Sequence, residues 1–191
     1  ALVADGAGAI QFLQDVTAEH LLVLSSIHGS IELSPSTCVL PLGAPIGVFE
    51  ASTNTCKLIR DISDADVSIV ASDFTLDCRD PVTLARHSIG AATDRKTFGV
   101  LVFQKNNVTV RNCDVFNVDT GVASQSSPGL KVEWVTVGAP PSINGSIGFR
   151  NDEGAGSSYS DISVDNVALG LVAEHANALT VRRARFRTRA H

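Results

Sequence analysis

The sequence is poor in large side chains. It contains no Met, one Trp and one Tyr among 191 residues, and aromatic residues make up only 5%. Val, Ala, Ile and Leu therefore have to supply most of the core. A β-branched, aromatic-poor core in a chain with 15 Gly favours many short strands over a helical bundle.

Two further absences narrow the class of protein. No apolar run approaches the roughly 20 residues that cross a bilayer, and the formal net charge is −5 at pH 7. Binding to nucleic acid needs a basic surface, so we expect neither a membrane span nor a nucleic-acid partner. The chain starts with Ala, and no basic segment precedes an apolar one, so we interpret it as a mature or trimmed form.

The four cysteines match neither a zinc pattern nor a CxxC redox motif. Their even number fits two disulfides in an oxidising compartment, and four buried thiols are the alternative. A Cys38–Cys56 bond would close a loop in the non-repetitive N-terminal part, where a covalent link helps most. A Cys78–Cys113 bond would need a local irregularity, because the two residues are one position apart in the repeat described below.

Two Asn-x-Ser/Thr triplets are candidate glycosylation sites, at Asn107 and at Asn144. Together with the cysteines they favour a secreted or cell-surface protein.

An internal repeat carries the fold prediction. Four glycines, Gly99, Gly121, Gly148 and Gly170, begin similar segments at steps of 22, 27 and 22 residues. A second strand begins nine residues after the glycine, or fourteen in the third segment, which predicts a five-residue insertion within residues 152–158. In this alignment every inward position is apolar or Cys: Val108, Leu130, Ile162 and Leu179; Val110, Val132, Val164 and Val181; Cys113, Val135, Val167 and Ala184; Val115, Val137, Leu169 and Phe186.

Alternation of inward and outward residues is typical of strands. The strands are separated by two-residue corners, such as Arg111-Asn112 and Asp165-Asn166, and Asn tolerates the left-handed conformation that a corner requires. We therefore predict an all-β chain in which residues 98–187 form successive coils of a right-handed parallel β-helix.

The prediction extends backward with less regular coils, to a solenoid of about 5–6 coils in all. Residues 67–78 read as an earlier coil, with Phe74 and Leu76 beneath Val108 and Val110, and residues 80–97 as a longer excursion. A short helix over residues 5–16, with Asp5 as its N-cap, would cover the N-terminal end. We divide the chain into a cap and first irregular coil (1–55) and the regular coils (56–191).

The stretch 56–103 and the motif Asn106-Asn-Val-Thr-Val-Arg-Asn-Cys-Asp-Val115 resemble the right-handed parallel β-helix superfamily of pectate lyases, polygalacturonases and the repeats of nitrous-oxide-maturation proteins. The resemblance covers about residues 56–187 and implies that an active site would lie on an outward-facing sheet. The polygalacturonase motifs Asn-Thr-Asp, Asp-Asp, Gly-His-Gly and Arg-Ile-Lys do not occur, nor is the pectate lyase combination of a calcium-binding acidic cluster with an Arg base evident. The chain is therefore most similar to the non-catalytic repeat members.

Asp152, Glu153 and Glu174 form the best acidic cluster, because the repeat places Asp152 and Glu174 outward on adjacent coils. Carboxylates one strand spacing apart could bind Ca²⁺ or a sugar, and a solvated surface is the simpler alternative. No cofactor is required by any motif. The five histidines are scattered and suggest no metal site.

Two groups of charges lie outward on the coils. The first is a ladder that allows ion pairs between coils: Arg111, Glu133, Asp165 and Arg182. The second is a C-terminal run on the last coil: Arg182, Arg183, Arg185, Arg187 and Arg189. That coil has no cap, and an uncapped end exposes strand edges that invite pairing. We expect further coils, another domain or a protein partner there.

Three functions compete. A structural or adhesive module in an extracellular assembly fits the regular coils and the open end best. A polysaccharide lyase or glycoside hydrolase acting on acidic polysaccharide is the alternative that the fold favours by analogy. A carbohydrate-binding module is the third, and it would stack sugars on outward aromatic side chains: Phe103, Phe116, Trp134 and Tyr159.

Overall fold

The protein is a parallel β-helix in a computed structural model that describes residues 2–4, 10–12, 30–39, 45–63, 65–91, 96–139 and 146–188. These residues form strands, turns and bends, and none of them lies in a helix. In chain order the strands are β1 (Leu2–Ala4), β2 (Ile10–Phe12), β3 (Ser30–Leu33), β4 (Gly47–Glu50), β5 (Thr55–Leu58), β6 (Ile62–Ser63), β7 (Asp66–Ile69), β8 (Thr75–Asp77), β9 (Ser88–Gly90), β10 (Lys96–Phe103), β11 (Thr109–Arg111), β12 (Asp114–Phe116), β13 (Val118–Gln125), β14 (Lys131–Glu133), β15 (Thr136–Gly138), β16 (Ile147–Asp152), β17 (Ser158–Ser160), β18 (Ser163–Val167), β19 (Leu169–Glu174), β20 (Thr180–Arg182) and β21 (Arg185–Thr188).

Three sheets run along the solenoid. Their strand orders are β19-β16-β13-β10-β7-β3 in the first sheet, β20-β17-β14-β11-β8-β5-β4 in the second and β21-β18-β15-β12-β9-β6 in the third. The pairs are parallel except β4 with β5. Each coil contributes one strand to each sheet, and four regular coils span residues 96–116, 118–138, 147–167 and 169–188. The predicted parallel β-helix is confirmed.

The core is a stack of inward columns between the sheets. In the second sheet Leu76, Val110, Val132 and Tyr159 lie in register, and all four are fully buried. Leu76 lies beneath Val110, as the repeat predicted. Tyr159 packs edge-on against Phe149 with ring centroids 5.7 Å apart, and its burial raises the pKa of its hydroxyl. The expectation that Tyr159 faces outward to stack on a sugar is therefore wrong.

The predicted insertion within residues 152–158 is also wrong. Ser158 pairs with Lys131 on one side and Thr180 on the other, so the second strand of this coil begins at the usual distance from Gly148. The additional residues lie between β15 and β16 instead. Inward residues after the misplaced insertion therefore move by two columns: Val164 aligns with Val137 and Phe186 instead of Val132 and Val181.

The same shift alters the predicted charge ladder. Ser160, not Asp165, lies between Glu133 and Arg182 in the second sheet. Asp165 belongs to the third sheet, between Gly138 and Arg187.

Left-handed residues turn the chain at the corners. Asn112 and Asn166 have φ of 57° and 60°, as their residue type predicted. In the same corner as Asn112, however, the next coil places Trp134 at φ 51°. The Trp134 backbone N–H donates to the Ser160 carbonyl at 3.1 Å, as the Asn112 N–H does to Glu133 at 3.0 Å. Hydrogen bonding between coils thus holds the corner even where the side chain does not favour it.

The glycine that marks the repeat lies where two sheets approach closely. A Cβ at Gly121 would lie 2.5 Å from the Gly148 carbonyl oxygen and 2.6 Å from the Val137 methyl groups. Only glycine fits without moving the neighbouring coil.

Both disulfides are formed. Cys38 and Cys56 are bonded with Cα atoms 5.7 Å apart, as predicted, and Cys78 is bonded to Cys113 at 4.9 Å. The Cys78 N–H donates to the Arg111 carbonyl at 3.0 Å. Cys78 therefore occupies a corner position, one place before that of Cys113, and the second disulfide joins adjacent coils through the irregularity that the repeat required.

One prediction about the N-terminal half changes. The excursion predicted over residues 80–97 is interrupted, because β9 returns to the third sheet and pairs with β12. The segment predicted as a capping helix, residues 5–16, lies mostly outside the described residues. Its described part, Ile10–Phe12, is a strand antiparallel to Leu2–Ala4.

Candidate functional site

The last coil, residues 169–188, presents core-type side chains at the C-terminal end of the solenoid. Val181 and Phe186 are 40% and 41% exposed, whereas Tyr159 and Val164 beneath them are fully buried. Leu171 and Leu179 of the same coil pack against the core and are only partly buried. The coil therefore has the inward pattern of a core layer, but none of the described residues covers its outer side.

Strand edges are exposed at the same end. β19, β20 and β21 are each the terminal strand of a sheet in the described part of the chain. Each pairs on one side only, so the outer N–H and C=O groups of three adjacent parallel strands point away from the solenoid. An apolar surface framed by three such edges is suited to receiving another β coil.

Basic side chains surround this surface. Arg183 donates to both carboxylate oxygens of Asp161, with Nε–Oδ1 at 2.5 Å and Nη2–Oδ2 at 2.6 Å. This pair lowers the pKa of Asp161 and raises the pKa of Arg183. Arg187 Nη1 lies 3.8 Å from Asp165 Oδ1.

Two more arginines of the run have no acidic residue beneath them. Arg182 lies over Ser160, and Arg185 lies over Ser163. Both side chains are exposed. These two arginines therefore have no opposite charge directly beneath them in their sheets.

The predicted acidic cluster separates into three pairs. Asp152 and Glu174 are in register on adjacent coils, as expected. Glu174 accepts a hydrogen bond from Arg150 at 2.9 Å, Asp152 Oδ1 is 3.6 Å from His175 Nδ1, and Glu153 accepts from the Ser126 hydroxyl at 2.6 Å. Among the described residues no group of three or more His, Cys, Asp or Glu side chains is placed to hold a metal ion. Calcium binding here stays a prediction.

A hollow lies on the third sheet beside Phe116. It measures about 420 Å³, and it is lined by Ala91, Phe116, Asn117, Gly138, Ala139, Asp165 and Asn166. In the outward column Phe116 is followed by Gly138 and then by Asp165. A Cβ at Gly138 would meet no atom within 4 Å, so the missing side chain opens the space between the ring and the carboxylate.

The other outward aromatic residues are more isolated or more covered. Trp134 is 48% exposed at its corner, and Phe103 is half-buried beside Leu101 and Ala123. Among these aromatic residues, Phe116 is therefore the candidate for stacking on a sugar, because polar side chains lie beside its ring.

Of the two candidate glycosylation sites, Asn107 is exposed. Its backbone φ is 53°, and its amide nitrogen donates to Asp73 Oδ1 at 2.9 Å. A glycan on that nitrogen would have to replace this hydrogen bond. Asn144 lies outside the described residues.

No family model matches this chain, and no curated protein or solved structure matches it either. The described residues also contain no helix that is long and apolar enough to cross a membrane.

The sequence predicted the position of Arg182, Arg183, Arg185 and Arg187 on the last coil, but it did not predict the hollow. The placement of Asp165 depends on the register, and the misplaced insertion assigned it to another sheet. The 22-residue step from Gly148 to Gly170 was the signal that the third coil has no insertion.

Proposed function

We propose that the protein is a structural module of an extracellular assembly, and that its exposed last coil docks another β-helix coil. The observation that carries the proposal is the apolar layer of Val181 and Phe186, which no described residue covers, beside three strand edges that no described strand pairs with. Fully burying one large apolar side chain stabilises by about 1.5–3 kcal/mol, so a docked coil has a substantial driving force.

The extracellular part of the proposal is supported by the two disulfides, which persist in oxidising compartments. The structural part is supported by the regular coils and by the likeness in sequence to non-catalytic β-helix repeats.

A direct test adds one coil. A copy of residues 170–191 placed after His191 keeps the 22-residue step, because its glycine becomes residue 192. The exposed arginines of the copy are changed to Gln, so that only apolar packing and strand pairing are tested. We expect slow hydrogen exchange in β20 and β21 and a higher Tm.

The matched control carries Asp in place of the copied Val181 and Phe186. This copy has the same length but cannot pack its inward side, so exchange in β20 should stay as fast as in the unextended protein. Equal exchange in all three proteins would show that the end docks no coil.

The enzyme alternative has its own assay. Incubation with polygalacturonate, with and without Ca²⁺, would release unsaturated ends that absorb in the ultraviolet if the protein were a lyase, or reducing ends if it were a hydrolase. We expect neither product.

The hollow beside Phe116 supports a second candidate, carbohydrate binding. A sugar ring could place its C–H face on Phe116 while its hydroxyls reach Asp165 and the Asn166 amide. Titration with neutral and acidic oligosaccharides tests this by calorimetry. Phe116→Ala should abolish binding, whereas Trp134→Ala, which removes an exposed aromatic side chain outside the hollow, should leave it unchanged.

A further inference from the structure

We propose that two copies of this chain associate side by side through their third sheets. In this dimer the loop between β8 and β9 of each copy, residues 79–87, is seated in the hollow beside Phe116 of the other copy. The contact is independent of the docking at the last coil, because it uses the side of the solenoid and not its end.

The loop over residues 79–87 presents apolar side chains to solvent. Val82 is 86% exposed and Leu84 is 66% exposed, which are the largest exposed fractions among the large apolar side chains of the described residues. Leu84 also has a φ of 60°, a conformation that a bulky side chain rarely adopts. Neighbouring apolar side chains that are displayed in this way favour a contact with another molecule.

Hydrogen bonds hold this loop in one conformation. Asp80 Oδ1 accepts from the Val82 N–H at 2.8 Å. The Asp80 N–H donates to the Ala85 carbonyl at 2.8 Å, and the Leu84 N–H donates to the Asp80 carbonyl at 3.1 Å. Arg86 fixes the base of the loop, because its guanidinium binds corner carbonyls of the next two coils. A loop that is ordered in advance loses little conformational entropy on binding.

The loop and the hollow lie at opposite edges of the same sheet. The strands of the third sheet are parallel, so all of them start at the edge where the loop enters β9 at Ser88. The hollow lies at the other edge, where Phe116, Gly138 and Asp165 follow one another. The loop approaches the level of Gly138, because Arg86 binds the carbonyl of Trp134 in the same coil.

This placement suits a symmetric dimer. When a second copy faces the sheet across a two-fold axis parallel to the solenoid axis, the starting edge of one sheet lies against the terminal edge of the other. Each loop then meets the partner's hollow, and both contacts form together. The side chains between the two edges are mostly small, so the sheets can approach: Ser88, Asp114, Thr136 and Ser163.

The hollow can accept the apolar side chains of the loop. It measures about 420 Å³, whereas an apolar cavity of about 150 Å³ already holds benzene, so it has room for Leu84 and part of Val82. The nearby charges are paired within one copy: Arg86 Nη2 lies 2.7 Å from Asp114, and Arg187 Nη1 lies 3.8 Å from Asp165. A loop seated here excludes a sugar from the hollow.

Cysteine cross-linking tests whether the loop of one copy meets the hollow of another. Proteins carrying Leu84→Cys and Gly138→Cys are mixed and mildly oxidised. We expect the mixture to form covalent dimers at least about tenfold faster than a mixture of Val48→Cys and Gly138→Cys proteins, because the dimer raises the effective concentration of the paired thiols. Val48 is the matched control, since it is exposed but lies on β4 of the second sheet.

Sedimentation of the unmodified protein gives a second measurement. We expect its mean mass to rise with concentration towards that of a dimer. Gly138→Leu, which fills the hollow, and Val82→Ser with Leu84→Ser, which removes the apolar side chains, should each raise the dimer dissociation constant at least about tenfold. Val48→Ser should leave it unchanged, and urea midpoints show whether each variant is folded.

Three results would overturn the proposal. The first is equal cross-linking in the two cysteine mixtures. The second is an unmodified protein that stays monomeric at every concentration. The third is a dimer that persists in both the Gly138→Leu protein and the Val82→Ser/Leu84→Ser protein, because another surface would then join the copies.

Discussion

Arg86 donates a hydrogen bond of 2.9 Å to the carbonyl of Trp134, although 48 residues separate them. The same guanidinium donates to the Cys113 carbonyl at 2.8 Å and pairs with Asp114 at 2.7 Å. One side chain of the excursion thus binds the corners of two successive coils, beside the Cys78–Cys113 disulfide.

We expect Arg86→Ala to lower the free energy of unfolding by about 1–3 kcal/mol, because it leaves carbonyls at the corner without their charged donor. Arg86→Lys should restore little, since an ammonium group cannot reproduce the planar fork of donors. Trp134 is the only Trp in the chain, so its fluorescence emission should shift in both variants. Lys131→Ala, at an exposed position, is the control, and an emission shift of the same size there would contradict the role given to Arg86.

The repeat glycine can be tested against a glycine in open space. Gly121→Ala should lower the free energy of unfolding by about 1–3 kcal/mol, because the new methyl group would overlap the Gly148 carbonyl and Val137. Gly138→Ala should stay within about 0.5 kcal/mol of the original protein, since no atom lies near its Cβ position. Urea unfolding measures both, and equal losses would remove the steric explanation of the repeat.

The coils could be predicted from the sequence because each inward column repeats one chemistry at a fixed step. Val110 and Val132 are related by the same 22 residues as Gly99 and Gly121, so pattern and structure agree there. The error arose in the third coil, where Ser157 takes an inward position and Tyr159 fills the core. Ile162 and Val164 are also apolar, because they belong to the next columns. An alignment of the third coil that is shifted by five residues therefore still places an apolar residue in every inward column, so the sequence pattern alone does not reveal the error.

Both disulfides should stabilise the folded protein, because each lowers the conformational entropy of the unfolded chain. The Cys78–Cys113 bond spans 35 residues and the Cys38–Cys56 bond 18. The loop-entropy relation gives about 4 kcal/mol for the first and about 3 kcal/mol for the second. The paired variants Cys78→Ala/Cys113→Ala and Cys38→Ala/Cys56→Ala should lose these amounts in urea unfolding. A reductant should lower the free energy of unfolding of the original protein. It should not change the free energy of unfolding of a variant in which all four cysteines are replaced by Ala.

The segment after Cys78 should become less stable at low pH. His87 lies between two carboxylates, with Asp61 at 3.4 Å and Asp80 at 3.6 Å. The backbone N–H of Ser88 lowers the pKa of Asp61, and those of Thr83 and Val82 lower the pKa of Asp80.

A lowered carboxyl pKa in the folded state gives stability that is present above the unfolded value, about 3.9, and is lost as pH falls through the folded value. Asp61→Asn with Asp80→Asn should therefore be less stable than the original protein near pH 6 and should approach it near about pH 2.5. Urea midpoints across this range measure the difference. Glu32→Gln, an exposed carboxylate on β3, is the control, and a parallel loss at every pH would contradict the linkage.

The contacts of Arg86 and His87 could not be predicted from the sequence. They depend on where the non-repetitive segment after Cys78 rejoins the third sheet. Nothing in the local sequence of Arg86 indicates that it reaches Trp134, and His87 is brought to Asp61 only by the pairing of β9 with β6. The hollow beside Phe116 likewise depends on Gly138 lying next to it in the third sheet. Repeats predict columns, whereas these contacts come from departures from the repeat.

The antiparallel strand β4 makes the two ends of the described solenoid different. At the C-terminal end all three edge strands run the same way as the coils beneath them, so an incoming coil can pair with every sheet at once. At the opposite end β3 and β6 keep that direction, but β4 covers β5 and runs against it. A coil arriving there would match two sheets and conflict with the third. Among the described strands, therefore, the C-terminal end is the one at which a parallel coil could pair with all three sheets.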